Sequence, residues 1–381
     1  DVLDLGVPSD ATVTTAKLAS DSVTYEKIGY NANQYRNIII NGDMSIAQRG
    51  TSFAAVNDDD YTLDRFKYDI SGTDVYQFTI SQDTDVPTGQ GFAKSMKFDC
   101  TTADASLDTD NFAIIHTKIE GQNLQYLKKG TSNAESTTLS FWVKSNKTGT
   151  YIAELQDEDN NRVICKSYTV SSSSTWEKKT ITFAGDTTGA FGNDNGSSLR
   201  INFWLLAGTG FSSGTLATSW ETRNNVDRAV GQVNLGDNTS NEWYITGVQL
   251  EAGTTASDFE FLPVDVNLQR CQRYYFRRQG DGSDQRAVSN GMASETNRYR
   301  GVFIFPITMR ANPTVTEAAL ETLRAGAQND AVSLNATLDA SINAVTLQLD
   351  TDSGTPYTQG NALIVRITNS TSAFLAMDAE L

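Results

Sequence analysis

Histidine is almost missing from this 381-residue chain, which has only His116. A metal site built from several imidazoles is therefore excluded. A Ser-His-Asp or Cys-His nucleophilic arrangement would rest on His116 alone, and its setting in NFAIIHTKIE reads as a strand with a packed or surface imidazole. Cysteine is scarce too: Cys100, Cys165 and Cys271 are odd in number and widely spaced, with no CxxC pair, so neither a disulfide framework nor a zinc site is expected. This usage is compatible with assembly in a reducing cytoplasm. Basic residues are in deficit, 30 against 46 acidic, and no basic stripe offsets the net charge of −16, which argues against nucleic acid or an anionic membrane as partner. No hydrophobic run approaches the roughly 20 residues of a spanning helix, so no membrane insertion is expected. The opening DVLDLGVPSD has neither an initiator Met nor an apolar leader core, the pattern of a fragment or processed product. Glycine-rich pieces such as AGTGFSSG match no phosphate-binding loop.

What is present is a β pattern. The 28 glycines, with many Thr, Ser, Asn and Asp residues between short apolar runs, favour numerous strands joined by turns, and the length suits two or three domains. Over residues 37–262 the runs TLSFWVKS, TYIAEL, RVICKSYTV, WEKKTITF, LRINFWLL and EWYITGVQLE are rich in β-branched and aromatic residues and separated by turn clusters. In WEKKTITF, alternation places Trp176, Ile181 and Phe183 inside. Many short strands so punctuated predict a jelly-roll β-sandwich. Residues 263–279 break the rhythm: Pro263 precedes, Asp265 is placed to cap, and Leu268, Cys271 and Tyr275 recur at helical spacing, so a short linker helix is predicted there. Residues 280–381 read as a smaller C-terminal β domain, with TEAALETLRAG open between helix and strand. Residues 1–36 repeat V-T-x-x-K-[L/I] at a period of ten, in VTTAKL and VTYEKI. Two such units cannot bury a core alone, so they read either as a flexible tail or as an oligomeric stalk completed by neighbouring chains. The fold class is mainly β.

Candidate chemistry is sparse. Acidic residues are scattered over loops rather than gathered into a two-carboxylate glycosidase site. Asp157, Asp159 and Asn161 have the opening spacing of a calcium loop, but Arg162 stands at the glycine position and Tyr168 at that of the closing acid. No cofactor is expected. Aromatic rings in polar loops remain, the combination that stacks on a pyranose while amides and charges hold its hydroxyls. Trp220 with Arg223 and Asn225 is the first such candidate, and Tyr61 beside Asp60 the second. Trp142, Trp176, Trp204 and Trp243 lie within strand patterns and are assigned to the core. In the opening segment, Asn37–Phe66, Asn41-Gly42 is expected to form a turn with Gly42 at positive φ. Arg49, Asp64 and Arg65 are expected to tie the first strands together.

The order of landmarks adds a resemblance. NIIINGDMSIAQRGTSF, YTLDRF, LSFWVKSNKTGTY, STWEKKTITFAG, WYITGVQLEAG, ASDFEFLP, LQRCQRYYF, FPITMRANPTV and the terminal FLAMDAEL follow one another over most of residues 37–381. Together they resemble phage tail or head fibres, or receptor-binding proteins, with a jelly roll like that of carbohydrate-binding modules. The resemblance implies a homotrimeric virion protein, assembled in the host cytoplasm. Its N-terminal stalk would join other virion proteins, and its non-catalytic heads would recognise host cell-surface glycans. A purely structural collar or fibre is the first alternative. A polysaccharide depolymerase is the second, although long β-helix repeats are not visible. One departure bears on a structural calcium: the closing strand has Thr246-Gly247 where the family places an acid, leaving Asp43 of NGD as a contributor.

Overall fold

The computed structural model describes residues 35–381 apart from 55, 73–74, 325–327, 353 and 355. The ten-residue repeat, and with it the expected stalk, lies outside the described residues. Residues 37–381 form one compact unit.

The strands before Pro263 are β1 (Ser52–Phe53), β2 (Asp60–Tyr61), β3 (Lys67–Ser71), β4 (Gln77–Asp83), β5 (Ser95–Thr102), β6 (Phe112–Glu120), β7 (Thr137–Ser145), β8 (Gly149–Asp157), β9 (Arg162–Val170), β10 (Glu177–Phe183), β11 (Ser197–Ala207), β12 (Glu221–Thr222) and β13 (Glu242–Ala252). They form two antiparallel sheets, six-stranded in the order β1-β4-β5-β13-β7-β10 and seven-stranded in the order β12-β9-β8-β11-β6-β3-β2. Within them β5-β13-β7-β10 faces β6-β11-β8-β9, which is the strand order of a jelly roll. The predicted sandwich is therefore present, with extra strands at its edges.

Alternation explains how each strand is shared between core and surface. On β7, Leu139, Phe141 and Val143 are fully buried, while Ser140, Trp142 and Lys144 point the other way. Rings bridge the two sheets: Phe141 meets Phe203 of β11 at 5.1 Å, and Phe98 of β5 meets Tyr68 of β3 at 5.8 Å. Each such buried ring contributes roughly 1.5–3 kcal/mol of transfer free energy, so the core rests on these aromatics. Trp176 departs from expectation. It lies before β10 and outside the core, its Nε1 donating to Asp85, while Ile181 and Phe183 do point inward.

The outer face of the seven-stranded sheet is closed by the segment 208–236. Phe211, Leu216, Ala217 and Ala229 pack on Ile114, Ile152, Val163 and Trp204. Arg228 of this segment pairs through Nε with Oε1 of the fully buried Glu154 at 2.8 Å, and Trp204 Nε1 donates to Oε2 of the same carboxylate. A buried acid held on both oxygens fastens the segment in place.

After Pro263 a helix spans Val264–Gln272, with Asp265 in its first turn and no side-chain cap. The second half of the predicted linker helix is instead a strand. The later strands are β14 (Tyr275–Gln279), β15 (Arg286–Glu295), β16 (Arg298–Ile304), β17 (Thr314–Ala318), β18 (Leu320–Arg324), β19 (Gln328–Leu338), β20 (Ala344–Thr351), β21 (Ala362–Ile367) and β22 (Phe374–Asp378). Tyr275–Gln279 pairs residue for residue with Phe374–Asp378, so a partner about a hundred residues away overrides helical spacing that continued to Tyr275. β14-β22-β17 is a three-stranded sheet, and β15-β16-β20-β19-β18-β21 closes into a barrel. The described part of TEAALETLRAG, Thr316–Arg324, falls in two strands hinged at Ala319, whose φ is +53°. Among the described residues no helix is long and apolar enough to cross a membrane.

The opening segment grips the far end of the chain. Arg65, almost fully buried, pairs with Glu380 and stacks on Tyr274 at 3.5 Å. Arg49 pairs with Asp378 and Glu380 and stacks on Tyr275 at 3.5 Å. The two arginines therefore tie the opening segment to the end of the chain, Arg65 also donating to the carbonyl of Lys118 on β6, while Asp64 accepts from the backbone and side chain of Gln48. The left-handed residue of the NGD turn is Asn41, at φ +60°, not Gly42. Asn41 tolerates it because its side chain bonds both to the backbone of Ile46 and to the carbonyl of Asp64. Gly42 is needed for closeness: a Cβ there would overlap the carbonyl oxygen of Val248.

Candidate functional site

The segment after β13 covers part of the outer face of the six-stranded sheet, Ser257 donating to Glu251 and the Glu260 backbone to Gln249, and a cleft of about 350 Å3 remains beside it. Trp142 of β7 forms its floor, between Thr246 of β13 and Lys178 of β10 in register. Gln90 and Phe92 from the β4–β5 connection, with Asp258, Phe259 and Phe261 beyond β13, stand around it. The three phenylalanine rings touch one another at 4.9–5.1 Å. This wall needs Gly247, which sits at φ +63° where β13 is irregular and whose Cβ would stand 2.5 Å from the Phe92 ring. The bulge thus seats Phe92 against the strand.

The polar groups differ in how far they are committed. Lys144 pairs with Asp85 and Lys97 with Glu242, both beside the ring of Tyr244, whose hydroxyl burial pushes up to about 12. Among the described residues Lys178 makes no ion pair, and no bond from Trp142 Nε1 is present, whereas the indoles of Trp176, Trp204 and Trp220 all donate. A half-buried indole, three further rings, a free ammonium and an amide can stack on a flat ligand and hydrogen-bond its edge. A volume of this size suits a small ligand or a short stretch of polymer.

The residues chosen from sequence are arranged otherwise. Trp220 precedes β12 and its Nε1 donates to the carbonyl of Ala184 at 2.7 Å; Lys129 lies 5.5 Å from the ring centre, and the hollow beside it holds about 20 Å3, room for water but not for a sugar ring. Arg223 and Asn225 are exposed nearby, the first donating its backbone N–H to Asn161 and the second opening a 3-10 turn. Tyr61 donates its hydroxyl to the carbonyl of Leu381, and Arg49 and Lys67 flank its ring. Asp60 accepts from the backbone of Asn57. β12 and β2 are the opposite edges of the seven-stranded sheet, roughly 29 Å apart at the usual strand spacing, so the two groups are not brought together. Trp142, assigned to the core, is the ring that lines the cleft. Its phase with Ser140 and Lys144, opposite Phe141 and Val143, was the available signal.

His116 is fully buried on β6, with Nε2 3.2 Å from Asp69 Oδ1. Burial, reinforced by Arg200, pulls its pKa down to about 3, so it is a neutral packed imidazole at ordinary pH. Asp43 accepts from Ser45 and Asn267, and Asp157 is paired with Lys129. Among the described residues no three His, Cys, Asp or Glu side chains gather as a metal site.

No protein-family model and no curated protein matches the chain. Among solved structures, the enzymatically active domain of tailspike protein 4 of bacteriophage CBA120 aligns with 57% of this chain at 16% identity and a TM-score of 0.31. The alignment spans only 22% of that structure's length. A family 11 carbohydrate-binding module from Clostridium thermocellum, in complex with a β-1,3-1,4-mixed-linked tetrasaccharide, aligns with 54% of this chain and 98% of its own length, at 12% identity and a TM-score of 0.27.

Proposed function

We propose that this chain is a phage virion fibre protein that recognises host-surface glycans without catalysis, through the Trp142 cleft. The observation that carries the reading is the uncommitted indole of Trp142 among three phenylalanine rings, in a cleft on the outer face of the six-stranded sheet. The order of sequence landmarks supports the virion role, with the N-terminal segment joining the particle and three copies forming the fibre. Weak single contacts with sugar would then gain by multiplicity.

The test is binding of the purified chain to host-surface polysaccharide and to a glycan array, with adsorption of the phage as the biological readout. Trp142→Ala is expected to weaken oligosaccharide binding at least tenfold, while Trp220→Ala leaves it within twofold. Equal losses in both variants, or none in either, would refute the site. Release of oligosaccharides from the polysaccharide would refute the non-catalytic reading.

A further inference from the structure

The closed barrel displays aliphatic side chains on the outer face of three neighbouring strands. Ile304 of β16 is 75% exposed, Val302 and Met292 are more than half exposed, and Ile364 of β21 is 36% exposed. Register brings them together: Asn290 of β15 pairs with Val302 on one side and Ile364 on the other, and Met292 lies two residues along β15. Phe303, Ala293, Leu363 and Val365 take the inward positions and fill the barrel, so these four occupy the phase in which a solitary barrel places polar groups. β19, diametrically opposite in the strand order, does so with Ser333, Asn335 and Thr337.

Charge indicates what covers this face. The chain carries 16 more acidic than basic residues, yet 287–292, 300–304 and 362–364 contain no carboxylate, and Arg300 stands at the rim. Copies of so acidic a chain repel one another over most of their surface. Here they can meet without bringing carboxylates together, while burying the four apolar side chains around Asn290. A closed barrel offers no strand edge, so contact must be made by side chains. We propose that the β15-β16-β21 face is the seam at which copies of this chain associate. This deepens the oligomeric part of the fibre reading and is independent of the glycan cleft, which lies on the six-stranded sheet.

The test uses the full chain with one introduced thiol, at Ile304→Cys or, as a control, at Thr337→Cys on β19. The three native cysteines are buried and report folding by staying unreactive. In the assembled protein the thiol at 304 is expected to react with a disulfide reagent at least tenfold more slowly than that at 337. Adding Val302→Asp should bring the two rates together. Equal rates in the first pair overturn the proposal, as does slow reaction that persists with Val302→Asp. Oligosaccharide binding in the same variants separates the outcomes: protected thiols without binding would sink the glycan reading alone, and binding with unprotected thiols would sink the seam alone.

Discussion

The single histidine makes one prediction unusually direct. His116 is neutral in the fold because burial disfavours the imidazolium and the neighbouring Arg200, with Lys118 beyond it, adds repulsion that Asp69 does not overcome. In the unfolded chain its pKa returns to about 6.5. Above that pH both states are neutral and the histidine contributes no pH dependence. As pH falls below it the unfolded state takes up a proton that the folded state refuses, so stability declines until the folded pKa near 3 is reached. At 1.36 kcal/mol per pH unit the whole span amounts to roughly 4–5 kcal/mol. About 1.4 kcal/mol of it is lost between pH 7.5 and 5.5, before most carboxylates titrate. Urea unfolding at those two pH values, for the wild type and for His116→Gln, should show this difference in the wild type and not in the variant. Because no other histidine is present, the imidazole proton resonances follow the ring without assignment work. A folded-state titration near 6.5, or parallel pH dependence in the two proteins, would refute the reasoning.

The pair between Arg65 and Glu380 is buried on both sides, with side chains 1% and 4% exposed. Glu380→Gln strands the guanidinium and should cost about 3–5 kcal/mol in chemical unfolding. A loss under 1 kcal/mol would show that the clasp is not closed in solution. Gly247→Ala forces a left-handed backbone, costing on the order of 1–2 kcal/mol, and displaces the Phe92 ring. It should therefore lower oligosaccharide affinity as well as melting temperature, and a variant that loses stability but binds normally would separate the wall from the site. Glu154→Gln removes the charge that holds Arg228, and faster proteolysis within 208–236 is expected. Unchanged cleavage would mean that apolar packing alone holds this segment.

Much of the fold is legible residue by residue. The alternation in LSFWVKS and RVICKSYTV, with turn-formers between the runs, specifies strands whatever their partners, because period-two patterning sorts one face inward in any sandwich. It fails where the partner decides. Leu268, Cys271 and Tyr275 keep helical spacing, yet Tyr275–Gln279 becomes a strand because FLAMD supplies a free ladder. In TEAALETLRAG, good helix formers are drawn into two strands by β22, β21 and β19.

By itself the sequence determined that the chain is β-rich and acidic, and that a metal site of several imidazoles is out of reach, since these follow from composition and local period. Only the tertiary structure decided which aromatic ring meets solvent. Trp142 and Trp204 both take the outward phase of their strands, but Trp204 is roofed by 208–236 while Trp142 lines a cleft. It also decided that Arg49 and Arg65, expected to tie the first strands together, and Tyr61, chosen as a ligand-binding ring, hold the last residues of the chain. The physical reason is the same in each case: exposure and pairing depend on what a residue's face meets across the fold, and that information lies hundreds of residues away.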